Sequence, residues 1–123
     1  MYVESDFILA LIKDDDWLGE KAEEIYLREK NDLWTSRYTL IELMMVAYRD
    51  DLNVSRVVSE VIELVDIRGD HSEIEAAALY IQDEGFTPFD ALHLVASGDD
   101  KIISSDSKYE KFSETETLRP DKE

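Results

Sequence analysis

Apolar positions along this chain switch between helical and extended periods, and the switches divide it into short strands alternating with helices. Tyr2-Val3, then Phe7-Ile8-Leu9-Ala10-Leu11-Ile12, predicts a brief strand turning into a helix at Ser5 or Asp6, both favourable N-cap residues. Trp17, Leu18, Ala22, Ile25 and Tyr26 recur at helical spacing and predict a helix over 17–29. Leu33-Trp34-Thr35 is a strand candidate, and Ser36 opens a helix that runs to Tyr48. Val54, Val57, Val58, Val61, Ile62 and Leu64 share one face of a further amphipathic helix. Residues 65–67, closed by Gly69, are strand-like, and 74–81 are helical, with Ala76-Ala77-Ala78 favouring that state. A sixth helix is expected over 88–96, a strand over 101–104 and a short helix over 107–112.

Strands alternating with helices imply parallel pairing, because a parallel connection needs a crossover of a dozen or more residues. The expected fold class is α/β. The chain shows no internal repeat or low-complexity tract, so residues 1–123 are expected to form a single domain. Only 113–123 has the polar, proline-containing look of a frayed tail.

Composition narrows the classes. The longest apolar stretch, from Leu40 to Tyr48, is broken by Glu42 and falls short of the roughly 20 residues a membrane span needs. With no cysteine, no disulfide framework is expected, and Met1-Tyr2-Val3-Glu4 does not look like a secretory signal, so a cytoplasmic protein is expected. The net charge of −17 opposes a polyanion approaching by general electrostatics, which argues against broad coating of nucleic acid. Much of the acid lies in solvated runs such as Asp14-Asp15-Asp16 and Asp99-Asp100, as a high-salt cytoplasm would favour.

Four acidic islands have a different setting: Glu4-Ser5-Asp6, Glu42, Asp90 and Asp106 each lie beside an apolar run. A buried lone carboxylate is costly, and two about 4 Å apart repel by roughly 4 kcal/mol at an effective dielectric of about 20. One divalent cation would answer both costs. If the fold unites the islands, the natural chemistry is Mg²⁺ or Mn²⁺ activating water against a phosphodiester, since hard cations prefer oxygen ligands. Glu4-Ser5-Asp6 and Asp106 follow strand candidates, which places them at the ligand-binding edge of an α/β sheet. Helix capping is the bland alternative for Asp6 and Asp106. Thr87-Pro88-Phe89-Asp90 also matches a capping box, with Thr87 as N-cap and the acid at N3. Glu42, between Leu40-Ile41 and Leu43-Met44-Met45-Val46, is expected on or close to a buried face.

Other residues carry less chemistry. His93, one helical turn after Asp90, is expected to be packed and hydrogen-bonded, and His71 lies in a loop. No cysteine or Gly-x-Ser-x-Gly supports acyl chemistry, and the glycines are too isolated for a phosphate loop. Trp17, Trp34 and Met44-Met45 are expected in the core.

Taken in order, these segments resemble the PIN domain family of small metal-dependent ribonucleases, which includes the VapC toxins of bacterial and archaeal toxin–antitoxin systems. Residues 2–11 look like its opening strand and acidic turn, and 35–43 like the helix bearing its glutamate. Phe89-Asp90-Ala91-Leu92-His93-Leu94-Val95-Ala96 is similar to its most recognisable block, and 102–109 to its last acidic strand end. The resemblance implies a three-layer α/β/α fold with a central parallel sheet of four to five short strands. Its acidic edge would hold one or two Mg²⁺ or Mn²⁺ ions through Glu4 or Asp6, Glu42, Asp90 and Asp106. The first island departs from the family pattern, because Glu4 stands where an aspartate is usual, leaving Glu4 and Asp6 as rival ligands. Ser5, Arg37, Thr87, Ser104 and Ser105 would support the ligands or touch substrate. The implied activity is endonucleolytic cleavage of single-stranded or structured RNA, leaving 5′ phosphates. A homodimer and a basic antitoxin are the implied partners.

A non-catalytic PIN domain that binds protein or RNA is the alternative, motivated by Glu4 and the acidic surface. A phospho-acceptor receiver also has an acidic pair after its first strand, but this chain lacks the mid-chain aspartate after a strand that such a domain needs.

Overall fold

The computed structural model describes residues 1–13 and 17–118; the run Asp14-Asp15-Asp16 and tail residues 119–123 lie outside them. Among the described residues the helices are α1 (Ser5–Ile12), α2 (Gly19–Glu29), α3 (Arg37–Arg49), α4 (Val54–Leu64), α5 (Ser72–Glu84) and α6 (Pro88–Ser97). The strands are β1 (Trp34–Ser36), β2 (Asp66–Arg68), β3 (Ile102–Ser104) and β4 (Thr115–Thr117), and a 3₁₀ turn covers Ser107–Tyr109. Local chemistry accounts for several of the boundaries. Asn53 caps α4 by accepting from the Arg56 N–H at 3.1 Å, Pro88 occupies the first turn of α6, and α5 stops at Gly85, whose φ of 74° suits glycine.

Among the described residues all strand pairing is parallel, and six helices with short parallel strands make a mixed α/β fold consistent with the expected α/β/α organisation. In place of one central sheet of four to five strands, the described strands form two separate two-stranded ladders, each of three residue pairs. In the first, Trp34, Thr35 and Ser36 pair with Asp66, Ile67 and Arg68, and Tyr2 bridges Trp34 on the other side. The opening strand is thus reduced to a bridge, in which the Val3 N–H donates to the Trp34 carbonyl at 2.9 Å and the Trp34 N–H donates to the Met1 carbonyl at 3.0 Å. The second ladder joins β3 to β4.

The core is mainly helical. Leu40, Leu43, Met44 and Ala47 of α3 form one buried stripe, which meets Val54, Val58 and Val61 of α4, Ile74, Ala77, Ala78 and Ile81 of α5, and Ala91 and Leu94 of α6. The spacing is the i, i+3, i+4, i+7 pattern of an inward helix face.

Several expectations change. The 113–123 tail is not frayed along its described length: Thr115–Thr117 is a strand, and the Leu118 N–H donates to the Ser104 carbonyl at 3.1 Å. The open edge of β3 supplies hydrogen bonds that a polar segment accepts without an apolar pattern. The short helix expected over 107–112 is only a 3₁₀ turn. Trp17 is 88% exposed and Met45 40% exposed. Trp17 precedes the first turn of α2, off the face that buries Ala22, and Met45 lies beside the α3 stripe rather than on it. Trp34 is half-buried, with Tyr2 edge-on at 4.9 Å and the Arg68 guanidinium over its ring at 3.8 Å.

Thr35 ties the first ladder to the opening residues. It is fully buried, and its hydroxyl donates to the Val3 carbonyl at 2.7 Å. Thr35→Val keeps the shape and removes the donor, so urea denaturation is expected to show a loss of about 1–2 kcal/mol. Leu43→Ala, which hollows the α3 stripe, is expected to cost about 2–5 kcal/mol. A Thr35→Val protein as stable as the parent would show that the hydroxyl does not secure the opening segment.

Candidate active site

The loop before α6 and the turn after β3 meet around one lysine. Thr87 has the extended backbone of an N-cap and Pro88 follows it, as a capping box requires. The side chains depart from that pattern. Instead of capping backbone N–H groups, the Thr87 hydroxyl donates to Asp90 Oδ2 at 2.6 Å. Asp90 also accepts from Lys108 Nζ at Oδ2, 2.5 Å away, and from the Tyr109 hydroxyl at Oδ1, 3.1 Å away. Asp106 caps the 3₁₀ turn by accepting from the Lys108 N–H at 3.0 Å. The same lysine folds back, so its Nζ lies 3.2 Å from Asp106 Oδ2. One ammonium is therefore held between two carboxylates from separate elements.

Charge pairing sets the protonation states. Asp90 is held below the usual carboxylate range, first by the Lys108 hydrogen bond and then by Thr87, against the opposing effect of burial. Asp106 is lowered chiefly by the Lys108 backbone N–H, although burial and the Asp90 charge oppose this. Lys108 is pushed up, first by Asp90 and then by Asp106. Burial, followed by the Asp90 hydrogen bond, pushes Tyr109 up. Near neutral pH the cluster is two carboxylates, one ammonium and a neutral phenol. The Tyr109 ring is buried and stacks on Phe86 at 6.1 Å, which fixes the base of the turn.

The other expected ligands lie apart from this pair. Among the described residues, no group of three or more Asp, Glu, His or Cys side chains is placed to hold one metal ion. Glu4 is the exposed N-cap residue of α1 and makes no side-chain cap bond; Asp6 is exposed, and its Oδ1 accepts from the Phe7 N–H at 2.8 Å. Glu42 is exposed, contrary to the burial expected from its apolar neighbours. Residues adjacent in sequence fall on different helix faces, so Leu40, Leu43 and Met44 turn inward and leave Glu42 outside. Of the five acidic residues, only Asp90 is partly buried, and the desolvation argument for a cation applies to it alone.

Glu42 nevertheless shares a cavity of about 460 Å³ with Ser5, Met45, Thr87 and Phe89. That cavity relates the α1 and α3 islands to the start of α6. Ser104 supports the cluster directly, its Oγ accepting from the Asp106 N–H at 3.0 Å. Ser105 is exposed, and the Arg37 stem lies near Gly69, after β2. His93 is exposed rather than packed, and His71 pairs with Glu75 at 3.0 Å.

Lys108 and Tyr109 were not among the expected site residues. The available signal was the spacing Asp106-Ser107-Lys108, in which an aspartate bonds its own backbone two residues on and turns the chain back. The pair Asp90 and Asp106 suits a hard divalent cation in donor chemistry, because it already gathers a cation between charged oxygens. Mg²⁺ in particular is commonly bound through one or two carboxylates while keeping several waters.

The profile of the PIN domain family matches residues 1–115. Comparisons with curated proteins and with solved structures each give no match.

Asp90→Asn removes the charge that holds Lys108. At pH 7 the variant is expected to be less stable by about 1 kcal/mol, a low value for a charged hydrogen bond because the Lys108 side chain is 37% exposed. A lowered native pKa stabilises above the unfolded aspartate value of about 3.9, and that contribution is lost as pH falls through the native value. The gap between parent and variant in urea should therefore hold from about pH 7 to 5 and close below about pH 4. A variant more stable than the parent at pH 7 would mean that repulsion between Asp90 and Asp106 outweighs the lysine clamp.

Proposed function

Because this chain belongs to the PIN domain family, whose members are generally nucleases, we propose that it is a divalent-metal-dependent endoribonuclease acting as the toxin of a toxin–antitoxin pair. The observation that carries this reading is the convergence of Asp90 and Asp106 on one cation at the end of β3. These two residues would hold Mg²⁺ or Mn²⁺. Glu42, with Glu4 or Asp6, would complete the acidic edge from α3 and α1. When bound, such an ion supplies an activated water and offsets charge developing on the phosphate.

The surrounding residues do the positioning. Thr87 and Tyr109 each donate to a different oxygen of Asp90, which fixes the plane of its carboxylate. Ser104 and the Lys108 N–H orient Asp106. Ser5 and Thr87 line the cavity beside Glu42; there the Ser5 hydroxyl would offer a donor to a phosphate oxygen, and the Thr87 oxygen, whose hydrogen is given to Asp90, an acceptor to a ribose hydroxyl. Ser105 and Arg37 remain candidate substrate contacts outside this pair. Cleavage of single-stranded or structured RNA would leave 5′ phosphates.

The net charge of −17 suits a basic antitoxin covering the acidic edge, and a homodimer and a cytoplasmic location belong to the same reading. Among the described residues, no helix is long and apolar enough to cross a membrane.

A specific observation favours a second reading, a non-catalytic PIN domain that binds protein or RNA. The Lys108 ammonium already satisfies both aspartates, and no third acidic side chain among the described residues joins them. Incubation with labelled single-stranded RNA separates the two. The nuclease reading expects slow cleavage, better with Mn²⁺ than with Mg²⁺ because Mg²⁺ demands near-ideal octahedral geometry. Asp90→Asn should reduce the rate about 100-fold or more, since small misplacements at a reacting centre are costly. Glu4→Gln and Asp6→Asn identify the first-island ligand by which of them slows cleavage. No cleavage with either metal, together with retained RNA or protein binding, would establish the binding module instead.

A further inference from the structure

We propose that Lys108 is an internal counter-ion that competes with a divalent cation for Asp90 and Asp106, so that metal binding requires the ammonium to leave. The inference rests on the metal-site reading above and specifies how that site is kept before metal arrives. Lys108 Nζ lies 2.5 Å from Asp90 Oδ2 and 3.2 Å from Asp106 Oδ2. A cation shared by the same two oxygens would have to stand where the ammonium stands. Both cannot remain, because a divalent ion and an ammonium in contact with the same oxygens repel strongly.

The lysine is placed there by construction. Its backbone N–H is bound by Asp106, which turns the chain and returns the side chain over that carboxylate. Its neighbour Tyr109 is buried and donates to the other oxygen of Asp90. With Thr87 as a further donor, Asp90 is fully engaged without any metal. A way out also exists. The Lys108 side chain is 37% exposed, and it borders a cleft of about 260 Å³ lined by Glu84, Gly85, Phe86, Lys111 and Phe112. Glu84, whose carboxylate lies 3.9 Å from Lys111 Nζ, offers a displaced ammonium an anion on that side. Rotation of one exposed side chain, with no backbone change, would exchange the two cations.

The test is calorimetric titration of Mn²⁺, at constant ionic strength, into the parent protein and three variants, with melting curves of the metal-free forms. Lys108→Met removes the competitor, and Lys108→Gln does so while keeping a polar stem, so it carries the test should the methionine variant fold poorly. Lys30→Met changes net charge by the same amount on the exposed surface. Both Lys108 variants are expected to bind Mn²⁺ roughly 10-fold or more tightly than the parent, the size of effect that residues around a metal site commonly have. Their metal-free forms should melt lower than the parent, and saturation with Mn²⁺ should remove that difference. Lys30→Met should behave as the parent does. Equal Mn²⁺ affinity in parent and Lys108 variants would overturn the competition while leaving the metal site standing. Weaker binding by the Lys108 variants would make the lysine a supporting group and overturn the proposal. No binding by any of the four proteins would remove the metal reading itself, and the competition with it.

Discussion

Burial of one stripe of α3 is the constraint from which the rest of the structure follows. Leu40, Leu43, Met44 and Ala47 are sealed from solvent, and α3 packs against α1, α4, α5, α6 and β1. The strands, each only three residues long, bury little surface of their own. The central helix therefore decides where the starts of α1 and α6 lie. The same burial fixes Glu42, because a residue between inward-facing positions on a helix must face elsewhere. Its outward face borders the cavity reached by Ser5 and Thr87. Packing of the core thus aims the acidic residue without contributing any polar contact to it.

Around Asp90 the controlling interactions change from apolar to ionic, and the two kinds depend on each other. The aromatic rings of Phe86, Tyr109, Tyr80 and Phe112 pack edge-on or stacked within 5.4–6.1 Å of one another. They anchor the turn from which Lys108 and Tyr109 reach Asp90. A carboxylate that is partly buried and fully hydrogen-bonded is well oriented but also well satisfied. Orientation favours metal chemistry, whereas satisfaction by an ammonium opposes it. Both effects act through a single ionic group, the Asp90 carboxylate with its Lys108 partner.

The helices are legible in the sequence because each buries one face, and burial of a face leaves a period in the chain. Val54, Val58 and Val61 carry that period alone, and α4 spans Val54–Leu64 as it implies. β4 is not legible, since Thr115-Glu116-Thr117 owes its state to the open edge of β3 rather than to apolar alternation. The PIN family membership and the α/β class are both readable from segment order. Glu42 and Met45 mislead for one reason: their apolar neighbours in sequence suggest burial, but a helix turns adjacent residues to different faces. In the candidate site, Asp90 and Asp106 meet through Lys108, while among the described residues no third acidic island joins them. Lys108 is harder to find, because a row of carboxylates points to a cation from outside the chain. The chain supplies one itself. A short-range turn between Asp106 and Lys108 is written in the sequence, whereas its meeting with Asp90 depends on packing of α6 against the turn.

The excess of acid bears on substrate and partner in opposite ways. At −17, the long-range field repels an RNA strand and attracts a basic protein. Screening shortens that field to about 8 Å at physiological salt and about 3 Å at 1 M. Rising salt therefore eases approach of the substrate while weakening attraction for the proposed basic partner. Contacts within hydrogen-bond range are much less screened, so the Lys108 clamp persists where long-range repulsion fades. A nuclease with this surface must place its positive charge locally, as metal, lysine or arginine, because its overall field supplies none. The ammonium between Asp90 and Asp106 does not meet that need, because two carboxylates around one ammonium leave the cluster with a net negative charge; under the proposed nuclease reading, the charge that faces a phosphate would have to come from a bound metal ion.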